Sequence, residues 1–321
     1  MVDLAVIVVS TNEAHWLQPC LGSVLGHQGS CSLEIVVADN ESTDGTADVV
    51  AGFSPSARVV RCANRGFAHA NNRALFTTSS RYVLFLNPDT EVAEGTFGEL
   101  VDVLDDRPDT GLAGVRQLTP DGTLYPTIRR FPSALRAFGQ AVIPERLPGR
   151  PDVLGERVLD PAAYDEETLC DWTSGSFMLA RREALESAGY MDERFFIYSE
   201  EPDLCLRMRN AGWSTRHLPQ MTIVHHAGKG GTSPRMSAQD AYARRLYARK
   251  HFGPLQRAMY VSGLGLGYLV RAGAPGAGGN GRRSANWAAF RALSGLAAPP
   301  FGDPPPRALA LRGDDGDADG T

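Results

Sequence analysis

The chain of 321 residues has no run of about eighteen apolar residues, so no transmembrane helix is expected. Its five cysteines (Cys20, Cys31, Cys62, Cys170 and Cys205) show no CxxC spacing and no even framework. That argues against a structural zinc site and for a reducing, cytoplasmic compartment. Basic residues are not in excess. The net charge of −5 gives no general electrostatic case for nucleic acid. No strand is followed by GxGxxG or GxxxxGK(S/T), which removes the dinucleotide fingerprint, and with it a nicotinamide oxidoreductase, and also the P-loop. The opening MVDLAVIVVS carries an acid, Asp3, ahead of a short apolar run, and reads as a first strand rather than a signal peptide. What remains, 43% hydrophobic and 21% charged, is ordinary for a globular chain.

Apolar runs and turn residues alternate from the start. Leu4 to Val9 is a β-branched run ending at Ser10-Thr11-Asn12; Leu17, Leu21, Val24 and Leu25 then recur at helical spacing. Leu33 to Ala38 is a second strand ending at Asp39-Asn40, and Ser42-Thr43-Asp44-Gly45 caps the next helix. Ala57 to Cys62 is a third strand, followed by a helix with Ala70, Asn71, Ala74 and Leu75. Tyr82 to Leu86 is a fourth, five apolar or aromatic residues that stop at Asn87-Pro88-Asp89, because proline has no backbone N–H for the ladder. Strand and helix alternate in this way to about Leu118, the pattern of a doubly wound parallel sheet. Ser10, Thr11, Asp39 and Asp89 then fall on one edge, beyond the carboxyl ends of the strands, where open α/β sheets bind ligands. With no phosphate-binding glycine loop there, a metal is the simplest partner for a phosphate.

From about Pro120 to Leu169 the pattern degrades, leaving one helix, Ala134 to Val142, in an insertion that reads as a loop over the site. Order returns with a strand over Ser176 to Ala180, a helix over Arg182 to Ala188, and the acidic cluster Glu200-Glu201-Pro202-Asp203 opening a further helix. Thr222 to Val224 is a strand ending at His225-His226. Arg235 to His251 is a basic helix. Its cations, with the apolar stretch Met259 to Leu269, define a candidate contact with the anionic inner face of a membrane, against a solvated face packed on the domain. Ala272 to Gly281 is a Gly/Ala/Pro linker, Asn286 to Leu296 a short helix, and Arg312 to Thr321 an acidic tail read as disordered.

VIVVSTNE, VVADNESTDGT, NRGFAHANN, FLNPDTE, DWTSGSFMLARREAL, GYMDERFFIYSEEPDLCLRMRNAGW and IVHHAG stand in the order of family-2 glycosyltransferases and resemble their rhamnosyltransferase-like branch over about Leu4 to His251. The resemblance implies a type A nucleotide-diphospho-sugar transferase fold: α/β, a mostly parallel sheet flanked by helices, with a C-terminal helical extension. It places a catalytic domain at 1–253 (a nucleotide-binding half at 1–118, an acceptor half at 170–253), an apolar and linker extension at 254–311 and the acidic tail at 312–321. The implied reaction is inverting transfer of a sugar, rhamnose by branch, from a dTDP- or UDP-sugar to a hydroxyl of a saccharide or lipid-linked acceptor. A non-catalytic nucleotide-sugar-binding protein of the same fold is the alternative.

By resemblance Asp89 is a ligand of Mg²⁺ or Mn²⁺ under the diphosphate, with Asn87 beside it. His225 matches a second ligand, and its neighbour His226 stays open, since alternation points only one of the two inward. Asp39 reads the base, its carboxylate accepting the imide N–H of uracil or thymine. Ser10, Thr11 and Glu13 line the same pocket. Asn64, Arg65 and Asn71 extend it, Arg65 standing between diphosphate contact and an ordinary surface position. The general base lies in the acidic cluster. Glu201 occupies the position at which the family has aspartate, and Glu200 and Asp203 are the other candidates. Trp172 and Gly175 match the acceptor side, Trp172 as a stacking platform or as a core residue.

Overall fold

The computed structural model describes residues 2–143, 147, 149–226, 233–273 and 279–302. The acidic tail lies outside them. β1 (Leu4–Ser10), α1 (Ala14–Gly26), β2 (Leu33–Asn40), α2 (Thr46–Ala51), β3 (Ala57–Cys62), α3 (Phe67–Leu75) and β4 (Tyr82–Leu86) alternate as the apolar runs require. β1 lies between β2 and β4, and β3 flanks β2, all parallel. Every side chain of β4 is buried because the sheet is covered on both faces. Val6, Val8 and Leu84 pack with Leu17 and Leu21 of α1, while Ile7, Val83 and Phe85 pack with Ala70 and Ala74 of α3.

β5 (Thr90–Glu94), α4 (Phe97–Asp105), β6 (Thr110–Leu118), α5 (Ala134–Val142), β7 (Thr168–Cys170), β8 (Phe177–Arg181), α6 (Arg182–Ala188), α7 (Glu200–Asn210) and β9 (Ser214–His225) continue the chain. α8 (Pro234–His251), α9 (Pro254–Gly273) and α10 (Gly279–Ser294) end it. The strands form one sheet in the order β3-β2-β1-β4-β8-β6-β9-β5, with β7 also on β9. β8 runs antiparallel to β4 and β6, and β5 antiparallel to β9, so the half carrying β1 to β4 is wholly parallel and the other half is mixed. The α/β fold with helices on both faces and a C-terminal helical part is the one expected. α4 begins with a reciprocal cap, Thr96 on the Glu99 backbone and Glu99 on the Thr96 backbone.

Five stretches differ from the sequence reading. Thr90–Glu94, to which the sequence reading assigns no element, is strand β5, and β9 is twelve residues long rather than Thr222 to Val224. Each depends on the other, because β5 is an edge strand whose partner lies more than a hundred residues away. The insertion is not a free loop. α5 forms over the expected residues and lies so close on α9 that a Cβ at Gly263 would sit 2.9 Å from the Phe138 nitrogen. Tyr164, fully buried, accepts from the Ile128 N–H at 3.1 Å and ties the rest down. Met259 to Leu269 belongs to α9, with Tyr260, Leu264 and Tyr268 buried in a cluster shared with α5, α8 and α10. α10 starts at Gly279, before the expected Asn286.

Two cations of the basic helix α8 pack against the domain. Arg244 pairs with Glu156 and Asp240, and Lys250 with Asp192 and Asp203. Arg235 and Arg249 of the same helix are exposed. No helix among the described residues is long and apolar enough to cross a membrane.

Candidate active site

The parallel register sets Ser10, Asp39 and Arg61 level at the carboxyl edge. Asp39 borders a cleft of about 620 Å³ together with Ser42, Thr46, Arg61 and Cys62. Its Oδ1 accepts the Ser42 N–H at 2.9 Å, which holds the carboxylate in place. Ser10 is fully buried with its hydroxyl 3.3 Å from that of Thr46, so its side chain braces the cleft floor. Asn40 donates to the Thr11 hydroxyl at 3.3 Å and to Asn64 Oδ1 at 3.1 Å, linking two of the expected pocket residues. Arg65 is exposed. Asn71 is buried; its Nδ2 donates to the Phe67 carbonyl at 3.0 Å while its Oδ1 has no partner. Gly66 adopts φ +103°, and a Cβ there would lie 2.2 Å from the Phe196 carbonyl oxygen. Phe67 N–H donates to that same oxygen at 2.6 Å, so the turn is clamped to the acceptor half.

β4 ends where expected. The Asn87 N–H donates to the Ser176 carbonyl at 3.1 Å, and the Thr90 hydroxyl to the Asn87 carbonyl at 2.7 Å. The β5–β9 ladder pairs Thr90 with His225, and the His226 N–H donates to the Asp89 carbonyl at 2.8 Å. This ladder decides between the two histidines. His225 Nε2 lies 3.3 Å from Asp89 Oδ1, both side chains nearly buried, whereas His226 reaches Glu91 at 2.7 Å and stacks on Trp16. The Nδ1 of His225 is buried without a partner among the described residues. Glu13, at the start of α1, is close enough for the charges of Asp89 and Asp44 to act on it; burial first, then those charges, push its pKa up to about 7.

Two cis ligands of an octahedral Mg²⁺ at about 2.1 Å lie about 3.0 Å apart, close to the Asp89–His225 spacing. Among the described residues no group of three or more His, Cys, Asp or Glu could hold a metal. The pair therefore fits an ion that takes its other ligands from phosphate oxygens and water.

On the acceptor side, Tyr198 and Ser199 have φ of +72° and +68°, two consecutive left-handed residues at the entry to α7. Such backbone is strained in non-glycine residues, and here it delivers the acidic cluster. Glu201 lies against Gly175, where a Cβ would come within 2.6 Å of Oε1. Burial raises the pKa of Glu201; the charge of Arg129 and the Gly175 backbone N–H act the other way. Glu200 is nearly fully buried, with Oε2 unpartnered among the described residues. Burial and the charge of Glu201 push its pKa well above the ordinary carboxylate value. Asp203 is fully buried against His251 at 2.7 Å, Lys250 at 2.6 Å and Arg207 at 2.8 Å. Despite burial, those cations hold its pKa below the ordinary value. Its oxygens are taken up by this network, so of the three candidates it is a structural anchor and not a base.

Trp172 donates its Nε1–H to the Arg130 carbonyl at 3.0 Å, and the Arg129 guanidinium sits 5.5 Å from its ring centroid. The sequence reading passed over Arg129 and Ser176. Arg129 lies in the degraded stretch, where no period marks it. Ser176 acts through its carbonyl, which no residue type advertises. Yet Ser176 joins the two halves: its carbonyl receives Asn87, and its neighbour Gly175 faces Glu201.

Residues 5–160 match the family model described as Glycosyl transferase family 2. An N-acetylglucosaminyl-diphospho-decaprenol L-rhamnosyltransferase of Mycobacterium tuberculosis is 31% identical over 237 residues, 70% of this chain and 76% of that protein. The rhamnosyltransferase WbbL of Escherichia coli is 25% identical over 176 residues, 50% of this chain and 61% of that protein. Among solved structures, the mannosyltransferase PcManGT from Pyrobaculum calidifontis, in complex with GDP-Man and Mn²⁺, superposes with a TM-score of 0.52 at 18% identity, over 94% of this chain and 79% of that one, a likeness of fold.

Proposed function

The chain belongs to glycosyl transferase family 2, and on that premise we propose that it moves rhamnose or another hexose from a dTDP- or UDP-linked donor to a hydroxyl of a glycan or lipid-linked saccharide, with inversion at the anomeric carbon. That it is a glycosyltransferase follows from the family and from relatives named as rhamnosyltransferases; those names also support rhamnose as the sugar. In this reading Asp39 accepts the imide N–H of the pyrimidine, and Thr11 and Asn64 shape the pocket around it. Asp89 and His225 hold Mg²⁺ or Mn²⁺, which would neutralise charge gained by the departing diphosphate.

The acceptor oxygen attacks the anomeric carbon as the bond to the diphosphate oxygen breaks, and the acceptor proton passes to Glu201. A raised carboxylate pKa suits that role, because a base near its operating pH combines ionisation with proton affinity. Glutamate for the family's aspartate adds one methylene, and Gly175, having no side chain, leaves room for it. Glu200 lies buried beside it in the first turn of α7, and Trp172 orients the acceptor sugar. One observation carries the proposal. The Asn87–Ser176 hydrogen bond and the Gly175–Glu201 contact bring the diphosphate turn and a desolvated carboxylate to adjacent residues.

Nucleotide release from dTDP-rhamnose and a panel of UDP-sugars, with Mn²⁺ or Mg²⁺ and a saccharide acceptor, tests it. At least one donor turns over, and Glu201→Gln lowers kcat by about a thousandfold while nucleotide affinity holds. Full activity in Glu201→Gln would sink the base assignment. Tight metal-dependent UDP or TDP binding with no turnover of any donor would point instead to the binding-protein alternative.

A further inference from the structure

Between the 129–157 segment and the C-terminal helices lies a cavity of about 740 Å³ that takes no part in the chemistry above. Among the described residues, Arg129, Arg150, Arg157, Arg244, Arg271 and Arg282 line it, against a single acid, Glu156. That acid is already bound by Arg244, at 3.1 and 3.2 Å to its two oxygens. The Nε groups of Arg129 and Arg150 are buried with no hydrogen-bond partner among the described residues. Converging charges of one sign cost free energy unless an anion offsets them, so this lining suits an anion. Burial also holds the pKa of Arg129 and Arg271 below the ordinary arginine value, a penalty that a bound anion reverses. Planar guanidinium groups converging on one space suit phosphate oxygens.

The cavity has two neighbours of different character. On one side Arg129 carries it to the acceptor site, through the Trp172 ring and the charge it exerts on Glu201. On the other, Val142 and Val270 form part of its wall and are 62% and 47% exposed, and Leu266 and Leu269 continue the apolar strip along α9. The order is therefore sugar site, cationic cavity, apolar surface. No residue of the Asp39 cleft or the Asp89 turn reaches it, so the donor diphosphate is not its occupant.

Building on the transferase reading, we infer that this cavity binds the diphosphate of a lipid-linked saccharide acceptor, with the first part of the lipid chain lying on the exposed face of α9. The sugar then projects past Arg129 onto Trp172 and Glu201. The 127–157 segment and α9 supply acceptor specificity, which gives a reason for their close packing.

Isothermal titration of full-length protein with inorganic pyrophosphate, farnesyl diphosphate and farnesol, all in excess EDTA, tests this without the metal site. Wild-type protein and Asp89→Ala bind both diphosphates equally well. Arg282→Glu, at an exposed position, and Arg271→Gln weaken both at least tenfold while unfolding at the wild-type temperature. Farnesyl diphosphate binds at least tenfold more tightly than pyrophosphate, and farnesol does not bind. Pyrophosphate affinity that survives both arginine substitutions, or that disappears in Asp89→Ala, overturns the assignment. Equal affinities for the two diphosphates overturn the lipid-linked source in favour of a free diphosphate, and farnesol binding as tightly as farnesyl diphosphate overturns the role of the arginines. Metal-dependent donor hydrolysis on wild-type protein reads the transferase function separately. Its absence would defeat that reading alone, and the chelator titration would still decide the cavity.

Discussion

Gly175→Ala is the sharpest test of how the base is held. The added Cβ would stand 2.6 Å from Glu201 Oε1, whereas ordinary contact begins at 3.4 Å, so the carboxylate must retreat by the difference, about 0.8 Å. Glu201 is flanked by buried Glu200 and Pro202 in the first turn of α7 and has little freedom to absorb that shift elsewhere. A displacement of about 1 Å at a reacting group costs on the order of a hundredfold in rate. We expect kcat to fall by about that factor while nucleotide affinity, which the proposed function assigns to Asp39 and Asp89, changes less than about twofold. Glu201→Asp shortens the side chain by one methylene and withdraws the carboxylate from Gly175, at a cost of about tenfold or more when made alone. In the double variant the shorter acid no longer meets the new methyl group. Its activity should therefore exceed the product of the two single effects by about tenfold, a coupling of about 1.4 kcal/mol. Steady-state nucleotide release and nucleotide titration on all four proteins measure the cycle. Strictly multiplicative losses, or an unchanged kcat in Gly175→Ala, would show that the glycine does not position the base.

Asp89→Ala should abolish Mn²⁺-stimulated nucleotide binding, and His225→Ala should weaken metal affinity by about ten- to a hundredfold, with His226→Ala near wild type. Metal titrations followed by nucleotide fluorescence check this, and a larger effect at His226 than at His225 would contradict the β5–β9 register as the determinant. Asp203→Ala should act on stability, costing about 3–5 kcal/mol in chemical denaturation, because Lys250 and His251 lose a buried counter-charge. The sign with pH follows from its lowered pKa. The contribution is present above the unfolded value, 3.8, and is lost as the pH falls through the lower folded value, so the wild-type advantage over the variant shrinks in acid. An advantage that grew towards low pH would refute it.

The layout of the candidate site was partly legible in the sequence, and the reason is local. Asp39 and Asp89 end apolar runs, and a strand that stops at a polar turn delivers that turn to the carboxyl edge of a parallel sheet. Glu201 could be placed in the first turn of a helix because Pro202 and the acids around it favour a helix start. Other features depend on contacts between residues far apart in the chain. Choosing His225 over His226 needed the pairing of Thr90 with residue 225 in an edge strand too short to read. Separating Glu201 from Asp203, two acids two residues apart, needed Lys250 and His251 to arrive from α8 on one side and a bare Gly175 on the other.

The sequence by itself determined the alternation of strands and helices, the polar edge and the family, since hydrophobic period and turn chemistry are properties of neighbouring residues. Tertiary structure alone decided which carboxylate is desolvated and which is neutralised, because a pKa depends on what packs around the group. It also decided that six arginines, scattered from 129 to 282 and unremarkable along the chain, face a single space.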